Sequence, residues 1–429
     1  MRSRPLLVTA VLVGVFARLA LASTVPGNFD QASYQVVASI LDHGGNVYAE
    51  TARYNYGPIW MYVIWALSHV STWTGIRFDV MTRAALTLVD LTDSLVIAAI
   101  AARAGFDRTR AFLAFFLNPV SILLTGMHGQ FEDLAALPLL VVIWLSLRPQ
   151  PAWKGWPSLL CSLALITKHI MIFSTWMLLA WVFVPVRRAA LYFVLACLAF
   201  IASFAPFLPT GGPGIMQHVV FYGGIHGLYG LGHFAPEVTF PLFLVVMLAL
   251  PELATRWHMP LVARMELAAV ALVALIPGFG EQYFILPILF ASARRSRWFA
   301  VYTVAATVAV VDFQLDLTFH VLAPSLLLLN AVWILNLWWL AHIVLSHITR
   351  CSNAPQVVGN PGALLGGTSA CDVGPGQTRS ELVPRAEHIC DEVTQDQGHP
   401  ESEDASREIA PRRLLSPNDD QGSQHVELG

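Results

Sequence analysis

An aspartate stands directly after the first apolar run of this chain, within the segment Asn28-Phe29-Asp30-Gln31. The residues that follow are rich in Tyr, Gly and Asn and carry few charges. A carboxylate that follows an apolar helix lies near a membrane–water boundary, where a positioned side chain of this type can take a proton from a hydroxyl. Asp30 is therefore the first candidate for a catalytic base. The simpler interpretation is an ordinary solvated loop acid.

Further carboxylate, imidazole, amide and phenol groups gather in a few segments between later apolar runs. These segments are Arg53-Tyr54-Asn55-Tyr56-Gly57-Pro58, His128-Gly129-Gln130-Phe131-Glu132-Asp133, Lys168-His169, the glycine-rich loop 209–236, Pro277-Gly278-Phe279-Gly280-Glu281-Gln282-Tyr283 and the stretch from Asp312 to His320. Each group also has a structural interpretation, such as helix capping by Glu132 and Asp133, or extension of Lys168 to the interface. A concentration of such groups on one side of a membrane is typical of a surface active site.

The composition decides what kind of protein must position these groups. The chain is 56% hydrophobic and only 12% charged, whereas a soluble domain is about a quarter charged. This composition predicts an all-α integral membrane protein that crosses the bilayer several times. The net charge of −3 gives no reason to expect a nucleic-acid partner. The five cysteines show no CxxC spacing, so neither a zinc site nor a disulfide framework is indicated.

The apolar runs predict the helices. They lie at 5–22, 58–73, 79–102, 111–126, 134–147, 156–167, 170–186, 189–208, 237–251, 262–277, 281–293, 297–311 and 318–346. The run at 58–73 is rich in Trp and Tyr, with Ser and His among them, which suits a juxtamembrane helix in the first outer loop. About twelve transmembrane helices then remain, with both termini cytoplasmic.

Basic residues support this topology. The predicted inner segments hold Arg2, Arg4, Arg103, Arg108, Arg110, Arg148, Lys154, Arg187, Arg188, Arg256, Arg264, Arg294, Arg295, Arg297 and Arg350. The predicted outer segments hold only Arg53, Arg77, Arg83 and Lys168. Cytoplasmic loops carry an excess of Lys and Arg. If 58–73 crossed the membrane, every later loop would invert and this bias would be lost.

Three further boundaries follow from the pattern. The first apolar run is interpreted as an uncleaved span; a signal peptide is the alternative. Lys168-His169 divides the apolar stretch 156–186 into two short helices, unless the stretch is one long helix with a buried lysine. Residues 1–350 form the membrane domain. Residues 351–429, rich in Gly, Pro, Ser and acids, are predicted to be a disordered cytoplasmic tail.

In their order along the chain, these segments resemble the GT-C type glycosyltransferases, polytopic enzymes that take sugar from a polyprenyl- or dolichyl-phosphate donor. The similarity is to the branch of bacterial polyprenol-phosphate-mannose-dependent mannosyltransferases and of the glucosyltransferases of lipid-linked oligosaccharide assembly. The matching segments are Asn28-Phe29-Asp30, Tyr54-Asn55-Tyr56-Gly57-Pro58, Asn118-Pro119 with Gly126-Met127-His128-Gly129-Gln130-Phe131-Glu132-Asp133, Thr167-Lys168-His169 and Gly280-Glu281-Gln282-Tyr283. The family segment usually reads Gln-Phe-Asp, so either Glu132 or Asp133 could take its acidic position.

The resemblance implies an inverting transfer of a hexose, mannose or glucose, to an acceptor hydroxyl on the non-cytoplasmic side, with Asp30 as general base. The implied donor-phosphate residues are Lys168, His169, Arg53 and His128, and the implied substrate-binding residues are Gln130, Glu132, Asp133, Tyr54, Tyr56, Glu281, Gln282 and Tyr283. The acceptor would be a glycan or lipid, and the membrane a bacterial cell membrane or one of ER type. A base of this kind is expected to have a pKa raised toward working pH by partial burial.

No cofactor is expected, although Asp30, Glu132 and Asp133 could converge on a divalent metal; many relatives with such donors work without one. Two other functions stay open at this point. Asp90 and Asp93 lie about one turn apart on a predicted span and could relay protons in a transporter or lipid flippase. A non-catalytic subunit of the same fold is the second alternative.

Overall fold

The computed structural model describes residues 3–148, 155–183, 186–222, 227–315 and 322–352. Throughout these ranges, regular secondary structure is helical and no strand is formed. Of the predicted tail 351–429, only residues 351–352 are described, and they extend the last helix. The helical fold predicted from the apolar runs is therefore confirmed for the described part of the chain.

The α-helices are numbered in chain order. The first nine are α1 (Ser3–Thr24), α2 (Phe29–Asp42), α3 (Val47–Glu50), α4 (Pro58–Thr74), α5 (Phe78–Arg103), α6 (Arg108–Phe116), α7 (Pro119–Leu123), α8 (Glu132–Ser146) and α9 (Trp156–Thr167). The others are α10 (Ile172–Val182), α11 (Val186–Ala202), α12 (Leu208–Gly214), α13 (Leu231–Phe234), α14 (Pro236–Arg256), α15 (Leu261–Leu275), α16 (Ile285–Ala291), α17 (Arg297–Leu315) and α18 (Leu322–Ser352).

Six segments among the described residues are long and apolar enough to cross a membrane. They are Pro5–Thr24, Phe78–Arg103, Val186–Val220, Pro236–Arg256, Arg297–Leu315 and Leu326–Thr349, and a bent pair, Arg108–Phe116 with Pro119–His128, could supply a seventh. The predicted count of twelve is not confirmed, because several apolar helices are short. α9 has 12 residues and α10 has 11, so they are about 18 Å and about 16.5 Å long, against about 30 Å of hydrocarbon.

Helices α1 and α5 pack side by side in opposite directions and are joined by two buried arginines. Arg18 of α1 pairs with Asp90 of α5, with 2.8 Å between Nε and Oδ2. Arg83 of α5 donates to the backbone carbonyls of Val25 (2.7 Å) and Pro26 (3.1 Å), just beyond α1. Arg83, one of the few basic residues assigned to the outer segments, lies in the second turn of α5 with its side chain fully buried. Its guanidinium holds the exit of α1, immediately before Asp30.

The centre of the largest core cluster is α15, which is buried along nearly all of its length. Its sequence is apolar on every face, which is typical of a helix enclosed by other helices. Glu266 is its one acid, and this carboxylate pairs with Arg294 at 2.7 Å and accepts from Trp339 Nε1 at 3.1 Å. The enclosed helix ends at Leu275, so the chain leaves it just before Glu281.

Candidate functional site

Asp30 lies in the first turn of α2. The apolar runs did not predict this helix, and its residues were assigned to the first outer segment as a whole. Asn28 is the N-cap, and its Oδ1 accepts from the backbone N–H of Gln31 at 3.1 Å. Its Nδ2 donates to the carbonyl of His128 at 3.1 Å. One asparagine therefore begins the helix and ties it to the second conspicuous segment. An Asn before an apolar periodicity is an N-cap signal that the sequence did offer.

The Asp30 carboxylate is fixed through one oxygen. Oδ2 accepts from Nε2 of His128 at 2.9 Å and from Nε2 of Gln130 at 2.5 Å. Among the described residues, no donor bonds Oδ1, and the side chain keeps 29% of its exposure. A carboxylate with one oxygen held and the other accessible is pre-oriented to accept a proton from a bound molecule.

His128 bridges two carboxylates. Its Nε2 faces Asp30, and its Nδ1 lies 2.8 Å from Oε1 of Glu281, which begins the short 3₁₀ helix Glu281–Phe284. Nε2 of Gln314, near the end of α17, also donates to Glu281, at 3.0 Å. A buried imidazole between two acids is stabilised as the imidazolium, which donates from both nitrogens. His128 thus orients Asp30, a role different from the predicted binding of donor phosphate.

The backbone at His128 takes an uncommon form. Residues Leu124–His128 make a π-helical turn, a feature that occurs frequently at functional sites. Gly129 ends it with φ +80°, and a Cβ at this position would lie 2.0 Å from Nε2 of Gln31. Both the left-handed conformation and the contact with Gln31 require glycine here. The sharp turn brings His128 and Gln130 to the same oxygen of Asp30.

The pKa of Asp30 lies below its ordinary value of 3.8. Burial is the largest influence and raises the pKa, but the hydrogen bond and charge of His128, followed by the charge of Lys168 and the hydrogen bond of Gln130, together outweigh it. The expectation of a raised pKa therefore fails, because two cations lie near this carboxylate. Asp30 is ionised throughout the neutral range and is ready to act as a base.

Lys168 interrupts the apolar stretch as expected. It stands in extended conformation between α9 and the 3₁₀ turn His169–Met171, which confirms two helices in place of one. Its ammonium donates to the carboxylate of Glu132, and both side chains are almost fully buried. The rings of Phe131 and Tyr56 lie 4.6 Å and 4.9 Å from Nζ. Lys168, which the resemblance implies as a donor-phosphate residue, is thus already paired with a carboxylate and enclosed.

The segment Tyr54 to Pro58 packs against the end of α9. A Cβ at Gly57 would lie 1.9 Å from the backbone oxygen of Ile166, so only glycine allows this approach. The hydroxyl of Tyr54 donates to the carbonyl of Gly57 at 2.6 Å, and Tyr54 is fully buried. Tyr54 therefore has a structural role, whereas Tyr56 belongs to the aromatic wall around Lys168.

Other predicted site residues take up separate positions. Arg53 is exposed, with its guanidinium carbon 4.9 Å from the ring centre of Phe29, and no carboxylate of the described residues pairs with it. His169 is half-buried beside Lys168. The side chain of Gln282 folds over Gly280, where an added Cβ would meet its amide at 2.6 Å. The ring of Tyr283 lies 5.9 Å from Nζ of Lys168 and completes the aromatic wall.

Asp133 does not join Asp30. Carboxylate oxygens of Asp90, Asp93 and Asp133 lie within 4.8 Å of one another, and all three residues are buried. Oδ2 of Asp90 is bonded by Arg18, Ser121 and Thr125, whereas neither oxygen of Asp93 has a hydrogen-bond partner among the described residues. An oxygen-only group of this kind could hold a hard cation. It differs from the trio Asp30, Glu132 and Asp133 considered from the sequence.

Two further residues of the site were not predicted. The Tyr34 hydroxyl lies near Asp30 and Glu132; burial and these two charges raise its pKa well above 10.0, so it is a neutral phenol. Gln314 lies in the polar stretch from Asp312 to His320 noted in the sequence, but nothing in that stretch indicated its partner. Comparison of the chain with known protein families, curated proteins and solved structures gave no match.

Proposed function

We propose that this chain is a membrane glycosyltransferase that moves a hexose from a polyprenyl- or dolichyl-phosphate donor to an acceptor hydroxyl. The proposal depends above all on Asp30, whose Oδ2 is held by His128 and Gln130 while Oδ1 is open. Mannose and glucose are the proposed hexoses, and the non-cytoplasmic side is the proposed side of reaction. The proposed substrate class is based on the resemblance to GT-C glycosyltransferases, and the proposed role of Asp30 as the base is based on the contacts of its carboxylate.

In the proposed reaction, Oδ1 of Asp30 removes the proton of the acceptor hydroxyl as that oxygen attacks C1 of the donor sugar. The new C1–O bond forms while the bond from C1 to the phosphate oxygen breaks, and its electron pair leaves with the phosphate. A single displacement inverts the configuration at C1. His128 and Gln130 keep Oδ2 engaged throughout, so the carboxylate does not rotate away. A positioned base of this type contributes about 10²–10⁴ in rate.

The leaving phosphate needs positive charge, and Arg53 is best placed to provide it. It is exposed, unpaired among the described residues, and next to Phe29, the neighbour of Asp30 in the chain. A guanidinium binds phosphate through two parallel hydrogen bonds. Lys168 is engaged by Glu132 and buried, so its proposed contribution is a positive potential behind the site. That potential already acts on Asp30, whose pKa it lowers.

The position of Asp30 also suits a donor that stays in the bilayer. The segment Pro5–Thr24 is one of the candidate spans, and Asp30 follows its end by a short loop. A second candidate span, Phe78–Arg103, begins beside this loop, where Arg83 holds it. A prenyl chain beside these helices would leave its phosphate at the boundary, within reach of the carboxylate.

The proposal is tested by reconstituting the purified full chain in liposomes with radiolabelled polyprenyl-phosphate mannose or glucose. Lipid and glycan extracts serve as acceptors. We expect label to pass to an acceptor with the anomeric configuration opposite to that of the donor. Retention of configuration would overturn the single displacement, and absence of transfer from both donors to every acceptor would overturn the function.

The sidedness has its own test. Ala52 and Arg110 are both exposed, and the topology places them on opposite sides of the membrane. In a cysteine-free background, Ala52→Cys should react with a membrane-impermeant maleimide added outside intact cells, and Arg110→Cys should react only after permeabilisation. The reverse pattern would refute the proposed orientation.

A second candidate function is proton- or cation-coupled transport, and one observation favours it. Asp90 and Asp93 lie inside a candidate span, and Asp133 joins them, with both oxygens of Asp93 lacking a partner among the described residues. Buried intramembrane acids mark proton and ion pathways. Proteoliposomes with an imposed pH gradient would show proton flux that Asp93→Asn abolishes and Asp30→Asn leaves intact. No proton flux above that of empty liposomes is expected if the chain is a transferase alone.

A further inference from the structure

A groove of about 780 Å³ lies among α1, α5 and α6, with Trp144 of α8 at one end. Apolar side chains line most of it, among them Leu7, Val11, Ala99 and Phe112. Its volume falls within the range of about 300–1,000 Å³ that is usual for small-molecule sites. The groove is therefore large enough for part of a lipid-sized ligand.

The groove is remote from the Asp30 site. It is lined by the first half of α1, which starts at Ser3, and by the last part of α5, which ends at Arg103. Asp30 follows the other end of α1, near the start of α5. Because α5 has 26 residues, it is about 39 Å long, more than the hydrocarbon thickness of about 30 Å. The two sites therefore lie at opposite ends of this antiparallel pair.

Three arginines lie at the groove, two of them in its lining and two of them against the ring of Trp144. Arg103 and Arg108 line it, and the guanidinium carbons of Arg103 and Arg148 lie 4.1 Å and 4.7 Å from the Trp144 ring centre. All three side chains belong to exposed residues. No carboxylate of the described residues is within salt-bridge distance of any of them, since the neighbouring Asp107 pairs with Arg110 at 3.4 Å. Three uncompensated positive charges thus border an apolar groove.

We propose that this groove binds an acidic phospholipid, with an acyl chain along α1 and α5 and the headgroup phosphate on the three arginines. The apolar lining alone would accept any lipid, and the arginines alone would accept any soluble anion. Only a molecule with both parts uses both features. Basic pockets between transmembrane helices are known to take anionic headgroups, and guanidinium groups match phosphate oxygens in pairs. The tryptophan marks the interfacial level at which a headgroup lies.

The experiment uses the detergent-solubilised full chain and its thermal unfolding midpoint. Three additions are compared: phosphatidylglycerol in mixed micelles, phosphatidylcholine at the same concentration, and inorganic phosphate. A ligand that binds the folded state alone raises the midpoint by an amount that grows with the logarithm of 1 + [L]/Kd. We expect phosphatidylglycerol to raise it in this concentration-dependent manner, with a much smaller effect of phosphatidylcholine and none of phosphate. Equal effects of the two lipids, or an equal effect of phosphate, would overturn the proposal.

Substitutions of the arginines test whether phosphatidylglycerol raises the midpoint by binding at this groove. In Arg108→Gln/Arg148→Gln the concentration of phosphatidylglycerol needed for a given shift of the midpoint should rise about 25-fold, at about fivefold for each arginine near an acidic lipid. The matched control is Arg187→Gln/Arg188→Gln, which removes two exposed arginines outside the groove. It should respond like the wild type, and an equal loss in the control would show general charge attraction and refute a defined site.

A second kind of variant leaves every charge in place. Ala102 lines the groove and is itself exposed, so a larger side chain there can fill the space without entering the core. We expect Ala102→Phe to fold with an unaltered basal midpoint and to lose the shift with phosphatidylglycerol. An unchanged shift would show that the lipid chain does not occupy the groove. Neither result depends on sugar transfer.

Discussion

The replacement of Asp30 by asparagine tests the proposed chemistry most directly. The shape of the side chain is kept, and its oxygen can still accept from His128 and Gln130, as Oδ2 now does at 2.9 Å and 2.5 Å. The amide nitrogen then takes the open position of Oδ1 and cannot accept a proton. Loss of a positioned base lowers the rate by about 10²–10⁴, which corresponds to about 2.7–5.4 kcal/mol of transition-state free energy.

The fold should survive this change. A hydrogen bond to a charged group contributes about 1.5–3 kcal/mol and a neutral one about 0.5–1.5 kcal/mol, so the loss of stability is about 1 kcal/mol. The chain offers a matched control on the same helix. Asp42 also pairs with a histidine, His69, at 3.0 Å, and accepts from Trp65 at 2.8 Å. Asp42→Asn therefore removes a comparable carboxylate outside the candidate site.

The assay is the initial rate of hexose transfer in proteoliposomes, with protein amounts and thermal midpoints matched. We expect kcat to fall for Asp30→Asn with little change in KM for the donor, and to stay at the wild-type level for Asp42→Asn. A folded Asp30→Asn protein that loses less than about tenfold would refute the assignment, because a general base contributes at least about 10². A rise in KM alone would assign Asp30 to binding.

Three further changes test the groups around this carboxylate. In wild type, the midpoint of the acid limb of kcat/KM should lie below pH 3.8, since the pKa of Asp30 is lowered from that value. His128→Gln removes the largest lowering influences, so the acid limb of the pH profile should move to higher pH. Gly57→Ala should lower the thermal midpoint, because the new Cβ would lie 1.9 Å from a backbone oxygen at the end of α9 and overpacking costs about 1–3 kcal/mol. Lys168→Met should cost about 3–5 kcal/mol of folding stability in chemical denaturation, because it leaves the buried carboxylate of Glu132 without its cation.

Controls separate these effects from general damage. Gly212→Ala adds a methyl group where no atom lies within 4 Å, so its midpoint should match the wild type. Lys168→Met/Glu132→Leu removes both charges and should recover much of the stability lost in the single variant. An acid limb that does not move in His128→Gln would show that the imidazolium does not set the pKa of Asp30.

Local features of the fold were predictable because their signals are local. The helix 156–167 was predicted with its observed bounds, and the break at Lys168 followed from a charge inside an apolar stretch. The number of membrane crossings was not predictable in the same way. The run predicted at 111–126 is two helices bent by 42°, and several other runs form helices too short to span alone. Apolar composition predicts helices, but it does not predict how far they extend through a bilayer.

The sequence predicted which residues belong to the candidate site better than it predicted the contacts that each of them makes. Asp30, His128 and Gln130 were named, and a single N-cap, Asn28, brings them together. The separation of Glu132 from Asp133 was not predictable, because adjacent helical residues point about 100° apart, and the sequence does not say which of the two faces each cluster. Gln314 comes from a helix far along the chain, and only the packing of that helix places it on Glu281.

The balance of buried charge connects these observations. Arg18 with Asp90 and Lys168 with Glu132 are buried ion pairs at hydrogen-bonding distance, and the buried carboxylate of Glu266 is paired with the half-buried Arg294. Removing such ions from water costs several kcal/mol apiece unless a partner compensates. The groups left outside this pairing are therefore those that need another explanation. They include the open oxygen of Asp30, the unpartnered oxygens of Asp93, and Arg103, Arg108 and Arg148 beside the apolar groove.

These unpaired groups lie in three different environments, and each environment limits the kind of molecule or ion that can bind there. The side chain of Asp30 is 29% exposed, so a neutral hydroxyl that gives up a proton can meet its open oxygen. The carboxylate of Asp93 is sealed within a candidate span, so only a proton or a small cation can reach it. The arginines are exposed beside an apolar groove, which favours an anion attached to a hydrocarbon chain. Uncompensated charge, more than any single motif, indicates where this protein meets other molecules.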